Sequence, residues 1–144
     1  MLCPDVNVLL YAFRRDSPDH TRHAEWLQSA MTGHEPVGVS DLVLSGVIRL
    51  ATHHRIFRQP STTAEVLDFC HAVRSAPAAV SIRPGDKHWA IFTGLCRATA
   101  ATANDVPDAY HAALAIEHGA TWITNDRGFA RFPNLSWRTV AESA

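Results

Sequence analysis

The clearest structural signal in this 144-residue sequence lies in residues 104–126, NDVPDAYHAALAIEHGATWITND. Its first five residues combine an asparagine, two aspartates and a proline, which is typical of a helix start, and Gly119 is typical of a helix end. Residues 121–124, TWIT, then predict a short strand, and Asn125 and Asp126 follow it directly. The stretch therefore predicts a helix that leads into a strand, with an acid at the strand's carboxyl end.

The same alternation of short strands and helices runs through the rest of the chain. Further strands are predicted at residues 2–4, 36–40, 79–82 and 135–140. Helices are predicted at residues 6–13, 17–33, 41–50, 62–74 and 86–100. This order predicts an α/β fold around a mostly parallel sheet, and the chain length predicts a single domain over residues 1–144.

Two of these helices carry more detailed predictions. The triplet Ser17-Pro18-Asp19 is typical of a helix start, with Ser17 as the N-cap and the proline in the first helical position. In the helix predicted at 86–100, Trp89, Phe92 and Leu95 recur at helical spacing and are expected to form its apolar stripe.

Composition limits the compartment and the kind of site. No apolar run reaches the roughly 18 residues that a membrane span needs, and the N-terminus lacks the pattern of a signal peptide, which predicts a cytoplasmic protein without a membrane partner. The three cysteines, Cys3, Cys70 and Cys96, are far apart and odd in number, which predicts reduced thiols rather than disulfides or structural zinc. The net charge of −1 gives no overall basic field, so binding to RNA would need a local basic patch.

Four aspartates fall at the ends of predicted strands or at the start of a predicted helix. Asp5, Asp41 and Asp126 follow the strands at 2–4, 36–40 and 121–124, and Asp108 lies at the start of the helix that runs back into the last of these. A helix antiparallel to the next strand begins at the carboxyl edge of the sheet, so all four acids are predicted at that edge. Ligands of open parallel sheets bind there.

Carboxylates gathered in one place indicate a cation site. They repel one another and stay ionised together when a cation neutralises them. Oxygen ligands of this kind suit Mg²⁺ or Mn²⁺, which can activate water and bind phosphate oxygens. The sequence therefore predicts hydrolysis of phosphodiester bonds.

Each acid also has a structural interpretation. Asp41 can cap its helix, Asp108 can interact with the helix dipole, and Asp126 can be a turn residue before Gly128. Asp5 is the hardest to explain without a ligand, because an unpaired charge between an apolar strand and an apolar helix would be costly.

Three segments together resemble the PIN-domain toxins of the VapC family. Residues 5–12, DVNVLLYA, resemble the opening of that family, an acid followed two positions later by a small polar residue and an apolar helix. Residues 105–109, DVPDA, with AALA at 112–115, resemble its third-acid helix. The segment Thr124-Asn125-Asp126 with Phe129 resembles its T-x-D-x-x-F motif. The similarity extends from Leu2 to about Val140.

The resemblance implies a three-layer α/β/α fold and an endoribonuclease dependent on Mg²⁺ or Mn²⁺. It further implies RNA substrates such as tRNA or rRNA, a homodimer, and a VapB-type antitoxin that joins it in a heterotetramer or larger assembly. Asp5, Asp108 and Asp126 would be the catalytic, metal-binding acids. Asn7 would orient Asp5 by hydrogen bonding.

One position departs from the family pattern. Many VapC proteins have a glutamate on the helix after the second strand, where this sequence has Gly46. Either Asp41 or Asp105 supplies the missing charge, or the site works with three acids. The departure favours an alternative function, a catalytically weak PIN-like module that binds RNA or a partner.

Several basic side chains have less specific interpretations. Arg127, Arg131 and Arg138 lie near Asp126 in sequence and are candidates for phosphate contacts. His20 and His23 are spaced for a metal on a helix, but no third ligand is nearby, so they are predicted to be surface residues. His111 lies one turn after Asp108 and is a weak candidate for the same site; metal-assisted hydrolysis needs no histidine base.

Overall fold

The computed structural model describes residues 1–143 and contains a five-stranded sheet in which all pairings are parallel. The strands are β1 (Leu2–Pro4), β2 (Val37–Ser40), β3 (Ala79–Ile82), β4 (Thr121–Ile123) and β5 (Trp137–Arg138), in the spatial order β3-β2-β1-β4-β5. Helices flank this sheet, so the predicted α/β class with a parallel sheet is confirmed.

Six α-helices connect the strands. They are α1 (Val6–Phe13), α2 (His20–Thr32), α3 (Asp41–Ala51), α4 (Thr63–Ser75), α5 (His88–Thr99) and α6 (Asp105–Glu117), and 3₁₀ turns follow at Arg127–Arg131 and Ala141–Ser143. Side chains cap the free backbone N–H groups at the N-termini of several helices. Ser40 accepts a hydrogen bond from the backbone N–H of Leu42, and Thr62 and Glu65 form the capping box that their spacing predicts.

The site is placed by the strand order. The chain builds β1, β2 and β3 outward in one direction and then returns to add β4 on the other side of β1. The carboxyl ends of β1 and β4 lie side by side, since Pro4 pairs with Ile123 and the backbone N–H of Asp5 donates to the Ile123 carbonyl at 2.8 Å. Connections leave these two neighbouring strands in opposite directions, which opens a crevice between them.

The hydrophobic core includes residues of β4 and α6, the two elements that lead into the site. Trp122 and Ile123 are fully buried in β4, next to the central strand β1, and α6 presents the buried alanines Ala109, Ala112 and Ala113. Small side chains on this face allow the helix to approach its neighbours closely. Among the described residues, no helix is long and apolar enough to cross a membrane.

Two predicted helix boundaries were wrong. The second helix begins at His20 rather than at Ser17, because the Ser17 hydroxyl donates to the Arg14 carbonyl at 2.5 Å and closes the turn after α1. Asp19, with a φ of 50°, then reverses the chain into α2. The fifth helix begins at His88 rather than at residue 86.

Two apolar segments also differ from prediction. The last strand covers Trp137–Arg138 instead of residues 135–140, since its pairing with β4 lasts for two residues. In α5, Leu95 is buried and Phe92 packs against the core, but Trp89 is 71% exposed. Helical spacing identified one face of this helix but not how far that face is covered.

Candidate active site

A cleft of about 580 Å³ opens at the carboxyl edge of β1 and β4. Its walls include Asp5, Asn7, Gly46, Asp108, His111 and Asp126. The structure therefore brings three of the four predicted acids together, although they are spread over 121 positions of sequence, from 5 to 126.

Asp5 is the most deeply buried of these acids, with 7% of its surface exposed. Its Oδ1 accepts from the backbone N–H of Val6 at 2.6 Å and so caps α1. Its Oδ2 accepts from Asn7 Nδ2 at 3.0 Å and from Thr124 Oγ1 at 2.6 Å. The hydrogen bond predicted between Asn7 and Asp5 is thus present, and Thr124 adds a second one.

The ionised form of Asp5 is nevertheless disfavoured. Burial is the main reason that its pKa rises to about 6, and the negative charges of Asp108 and Asp126 add to that effect. The hydrogen bonds from Thr124 and Val6 oppose it. Asp5 is therefore a carboxylate that the fold has oriented but whose charge it has not fully compensated.

Asp108 lies in the first turn of α6, and it and Asp105 both contact the guanidinium of Arg131. Arg131 Nη2 lies 3.0 Å from Asp108 Oδ2 and 3.3 Å from Asp105 Oδ1. The same guanidinium stacks over the Phe132 ring, 4.4 Å from its centroid. Burial raises the pKa of Asp108, and the hydrogen bond and charge of Arg131 work against that rise.

Asp126 combines a turn role with a place in the cleft. Its Oδ1 accepts from the backbone N–H of Gly128 at 2.8 Å and begins the 3₁₀ turn Arg127–Arg131. Its own backbone N–H donates to Thr124 Oγ1 at 3.0 Å. The structural interpretation given to Asp126 is correct, and its carboxylate also forms part of the cleft wall.

A hydrogen-bond network that the sequence did not reveal supports Asn7. The backbone N–H of Asn125 donates to Asn7 Oδ1 at 3.1 Å, and the Asn125 amide contacts His23 on α2. His23 Nδ1 lies 2.8 Å from the Asp19 carbonyl, which can only accept, so Nδ1 carries the proton and Nε2 accepts from Asn125 Nδ2 at 2.8 Å. The prediction that His23 is a surface residue was wrong: its side chain is buried.

The two acids considered as replacements for the absent glutamate have different surroundings. Asp41 forms an ion pair with Arg74 and lines a separate surface groove between α3 and α4, so its side chain does not reach the acidic cleft. Asp105 is exposed, but Arg131 links it to Asp108. Of the two, Asp105 is the one that the structure places beside the site.

Gly46 marks a close contact between helices. A Cβ atom at this position would lie 2.8 Å from Cγ2 of Val6, the first residue of α1. A side chain at position 46 therefore requires Val6 to move. The absence of a glutamate here is coupled to the tight packing of α3 against α1.

We expect Gly46→Ala to lower the free energy of unfolding by about 1 kcal/mol. Overpacking costs about 1–3 kcal/mol and outweighs the roughly 1 kcal/mol that alanine gains over glycine inside a helix. Gly94→Ala on α5 is the matched control, because no described atom beyond its chain neighbours and the nearby backbone of its own helix lies within 4 Å of its Cβ position, and it should stabilise the protein. Urea denaturation compares the two variants; equal stabilisation by both would contradict the packing argument.

Comparison with known proteins agrees with this architecture. The parallel sheet and the carboxylates in the cleft at its switch point place this protein in the class of α/β domains with an acidic site. Residues 2–135 match the PIN domain family model. The ribonuclease VapC43 of Mycobacterium tuberculosis is 44% identical over 138 residues, which cover 96% of this chain and 94% of that protein. The chain therefore belongs to the PIN-domain family, in its VapC group.

Solved structures show the same fold at low sequence identity. The VapBC2 complex of Rickettsia felis, bound to a DNA fragment from its promoter, superposes with a TM-score of 0.71 at 17% identity, covering 96% of this chain and 97% of that one. The sarcin-ricin loop cleaving toxin VapC20 of Mycobacterium tuberculosis superposes with a TM-score of 0.65 at 16% identity, covering 94% and 99%.

Proposed function

We propose that this protein is an endoribonuclease toxin that hydrolyses phosphodiester bonds in structured RNA with the help of Mg²⁺ or Mn²⁺. The observation that carries the proposal is the convergence of Asp5, Asp108 and Asp126 on one cleft at the switch point of the sheet. The chain's relatives named as ribonucleases support the same reaction.

The chemistry of the donor set fits a hard divalent cation. Asp5, Asp108 and Asp126 offer carboxylate oxygens, which Mg²⁺ and Mn²⁺ prefer. These three residues would hold the ion, which would neutralise them and stabilise negative charge developing on the phosphate. Within residues 1–143, however, no three histidine, cysteine, aspartate or glutamate side chains are arranged as a ready-made metal site. Arg131 is the cationic group in contact with Asp108, at 3.0 Å.

The protein's own side chains prepare this site. Asn7 and Thr124 fix the orientation of Asp5, and the network through Asn125 fixes Asn7 in turn. Arg49 on α3 lines the same cleft and supplies a local positive charge for an RNA backbone, which the near-neutral chain lacks overall.

The relatives support a proposal for the biological setting. VapC proteins are found in complexes with VapB partners, as in the Rickettsia felis structure. We propose a VapB-type antitoxin, a homodimer that forms a heterotetramer or larger assembly with it, a cytoplasmic location, and tRNA or rRNA as the substrate.

Gly46 and Arg131 favour a second candidate function. A site without the fourth acid, and with a guanidinium on Asp108, could serve as a catalytically weak module that binds RNA or a protein partner. Incubation of antitoxin-free protein with total bacterial RNA separates the two. Discrete fragments that require Mg²⁺ or Mn²⁺ and disappear with chelator or with Asp5→Asn support the nuclease. Intact RNA under every condition, from folded protein, supports the binding module.

Replacing Arg131 tests how the metal enters. We expect Arg131→Gln to tighten Mn²⁺ binding about three- to fivefold, because the metal ion no longer competes with a partly exposed guanidinium for Asp108. Isothermal titration calorimetry measures this affinity without any reaction. Arg127→Gln is the control, since Arg127 pairs with Glu142 at 3.6 Å instead. Weaker or unchanged binding in Arg131→Gln would show that Arg131 does not occupy the metal's place.

A further inference from the structure

The segment from α3 to the start of α4 concentrates positive charge in a chain that is nearly neutral. Residues 42–64 contain Arg49, Arg55 and Arg58 and no aspartate or glutamate, whereas the whole chain has a net charge of −1. Arg49 lines the acidic cleft. Arg55 and Arg58 lie in the turn after α3, residues 53–59, which we call the arginine loop. This segment is the local basic patch that binding to RNA would need.

The arginines of this segment face solvent without ionic partners. Arg49, Arg55 and Arg58 are all exposed. In the part of the chain that the structure describes, none of the three forms an ion pair, whereas Arg74 and Arg131 are both paired with aspartates. Guanidinium groups that the protein has not neutralised are available to an anion from outside.

The arginine loop has a defined shape and begins where the cleft ends. The backbone N–H of His53 donates at 3.1 Å to the carbonyl of Leu50, a residue that lines the cleft. At the other end of the loop, Arg14 donates to the Gln59 carbonyl at 2.9 Å, and its guanidinium lies 3.9 Å from the centroid of the Phe57 ring. The loop is therefore fixed beside the cleft, and a ligand would not have to order its backbone.

The acidic cleft by itself repels a nucleic acid. Asp5, Asp108 and Asp126 present carboxylates there, and these oppose the approach of phosphates until a cation neutralises them. The guanidinium of Arg131 is already engaged by Asp108 and Asp105. Attraction for a polyanion must therefore come from cations outside the acidic part of the cleft, and the arginine loop adjoins it.

The surface of the arginine loop suits phosphates better than a protein partner. Guanidinium groups match phosphate oxygens in a bidentate geometry. Protein interfaces have an apolar core from which charged residues are depleted. Among the described residues of this loop, Ile56 is the one large apolar side chain that is exposed. A charged surface with so little apolar area favours a polyanion as its ligand.

We propose that the arginine loop is an anchoring site for the RNA backbone, in which Arg55 and Arg58 bind phosphates of a strand whose adjoining part lies in the acidic cleft. Arg49 lies between the two sites. This inference rests on the proposed function, because the cleft determines where the strand lies. The loop is remote from the carboxylates, so it binds substrate and transition state equally well. It therefore acts on affinity and salt dependence, and not on the chemical step.

Fluorescence anisotropy tests the anchoring site with a labelled single-stranded RNA of mixed sequence, in chelator and over a range of potassium chloride concentrations. We expect Arg55→Gln/Arg58→Gln to lower the slope of log affinity against log salt by about 1.4, since each phosphate contact contributes about 0.7. Binding at about 0.1 M salt should weaken about 10- to 30-fold. Arg83→Gln/Arg97→Gln is the matched control and should bind like wild type. It also loses two exposed arginines that form no ion pair within residues 1–143, and neither of them lines the cleft.

Further measurements separate anchoring from folding and from catalysis. Both double variants should keep the melting temperature of wild type, because all four side chains are exposed. In cleavage of RNA with Mn²⁺, the loop variant should raise KM about tenfold and leave kcat within about twofold, as expected for the loss of uniform binding. If the double variant is less stable than wild type, the single variants Arg55→Gln and Arg58→Gln replace it, each with a slope lower by about 0.7.

The outcomes separate this inference from the proposed function. The inference is overturned if the loop variant keeps the affinity and salt slope of wild type, if both double variants weaken equally, if kcat falls while KM stays, or if wild type binds no RNA. Unchanged RNA affinity together with weaker binding of an acidic protein partner would assign the loop to that partner instead. A lower affinity and salt slope in a protein that cleaves nothing with Mg²⁺ or Mn²⁺ would support the anchoring site and refute the nuclease.

Discussion

Asp5→Asn should abolish RNA cleavage and, in the same variant, raise the stability of the metal-free protein near pH 7.5. We expect activity to fall by more than about 100-fold, since even groups that only support a metal ligand are worth 10- to 100-fold. The gain in stability should be about 1 kcal/mol. The shifted pKa corresponds to about 3 kcal/mol for the buried charge at this pH. The asparagine amide nitrogen cannot accept the hydrogen bonds that Oδ2 accepts from Asn7 and Thr124, which offsets about 1–3 kcal/mol of this gain.

The pH dependence of this gain follows from the direction of the pKa shift. The pKa of Asp5 rises from 3.8 to about 6 in the folded protein, so the folded state binds its proton more tightly than the unfolded chain does. Wild-type stability contributed by Asp5 is therefore present at low pH and is lost as the pH rises from about 4 to about 6. The side chain at position 5 of the variant does not titrate. The free energy of unfolding of the variant, relative to wild type, should therefore increase through that window and then stay constant.

Chemical denaturation of both proteins between pH 4 and pH 8, in chelator, measures this difference. Asp68→Asn on α4 is the matched control, because Asp68 is exposed and the same substitution there should change neither stability nor cleavage. A variant that is less stable than wild type at pH 7.5, or a difference that does not vary with pH, would show that the fold compensates the charge of Asp5 by itself.

The parts of the site that could be predicted from sequence are those set by local patterns. Asp5 and Asp126 follow short strands, and Asp108 sits in a recognisable helix start. Parallel strands share one carboxyl edge, so these local assignments were enough to bring the three residues together. No contact between distant residues had to be known.

The parts that could not be predicted depend on contacts between distant segments. His23 is buried because Asn125, 102 positions later, folds over α2 and pairs with its ring. Arg131 reaches back 23 positions to Asp108 through a 3₁₀ turn whose course the sequence does not determine. Ser17 could have capped the next helix or closed the preceding turn, and its local sequence suits both.

Gly46 shows a different limit of the sequence. Its alignment with a glutamate position suggested a loss of function, whereas the structure shows that it allows α3 to pack against Val6. A glycine in a helix has no pattern that reveals its neighbours. Which acid could replace the missing glutamate also depends on contacts between distant residues. Asp41 pairs with Arg74, whereas Asp105 and Asp108 both contact Arg131.

Replacing Thr124 should reduce cleavage almost as much as replacing one of the acids, although its side chain carries no charge. Its side chain is fully buried, donates to Asp5 Oδ2 at 2.6 Å, and accepts from the backbone of Asp126 at 3.0 Å and from Asn7 Nδ2 at 3.3 Å. Thr124→Val keeps the shape and removes all three hydrogen bonds. We expect a loss of about 1.5–3 kcal/mol in stability, as for a hydrogen bond to a charged group, and a 10- to 100-fold loss in metal affinity and cleavage, roughly the effect of removing a partner of a metal ligand.

The stability deficit of Thr124→Val should itself depend on pH. The hydrogen bond from Thr124 is the largest effect that lowers the pKa of Asp5, so the valine variant should raise that pKa above about 6. The deficit should therefore be largest above pH 6, where wild-type Asp5 is ionised, and should shrink as both proteins take up the proton at lower pH. Thr124→Ser, which retains the hydroxyl, should recover most metal affinity. Thr121→Val at the start of β4, whose hydroxyl contacts Ser136 at the surface, should change little. Equal losses in Thr124→Ser and Thr124→Val would show that the methyl group, and not the hydrogen bond to Asp5, is what the site requires.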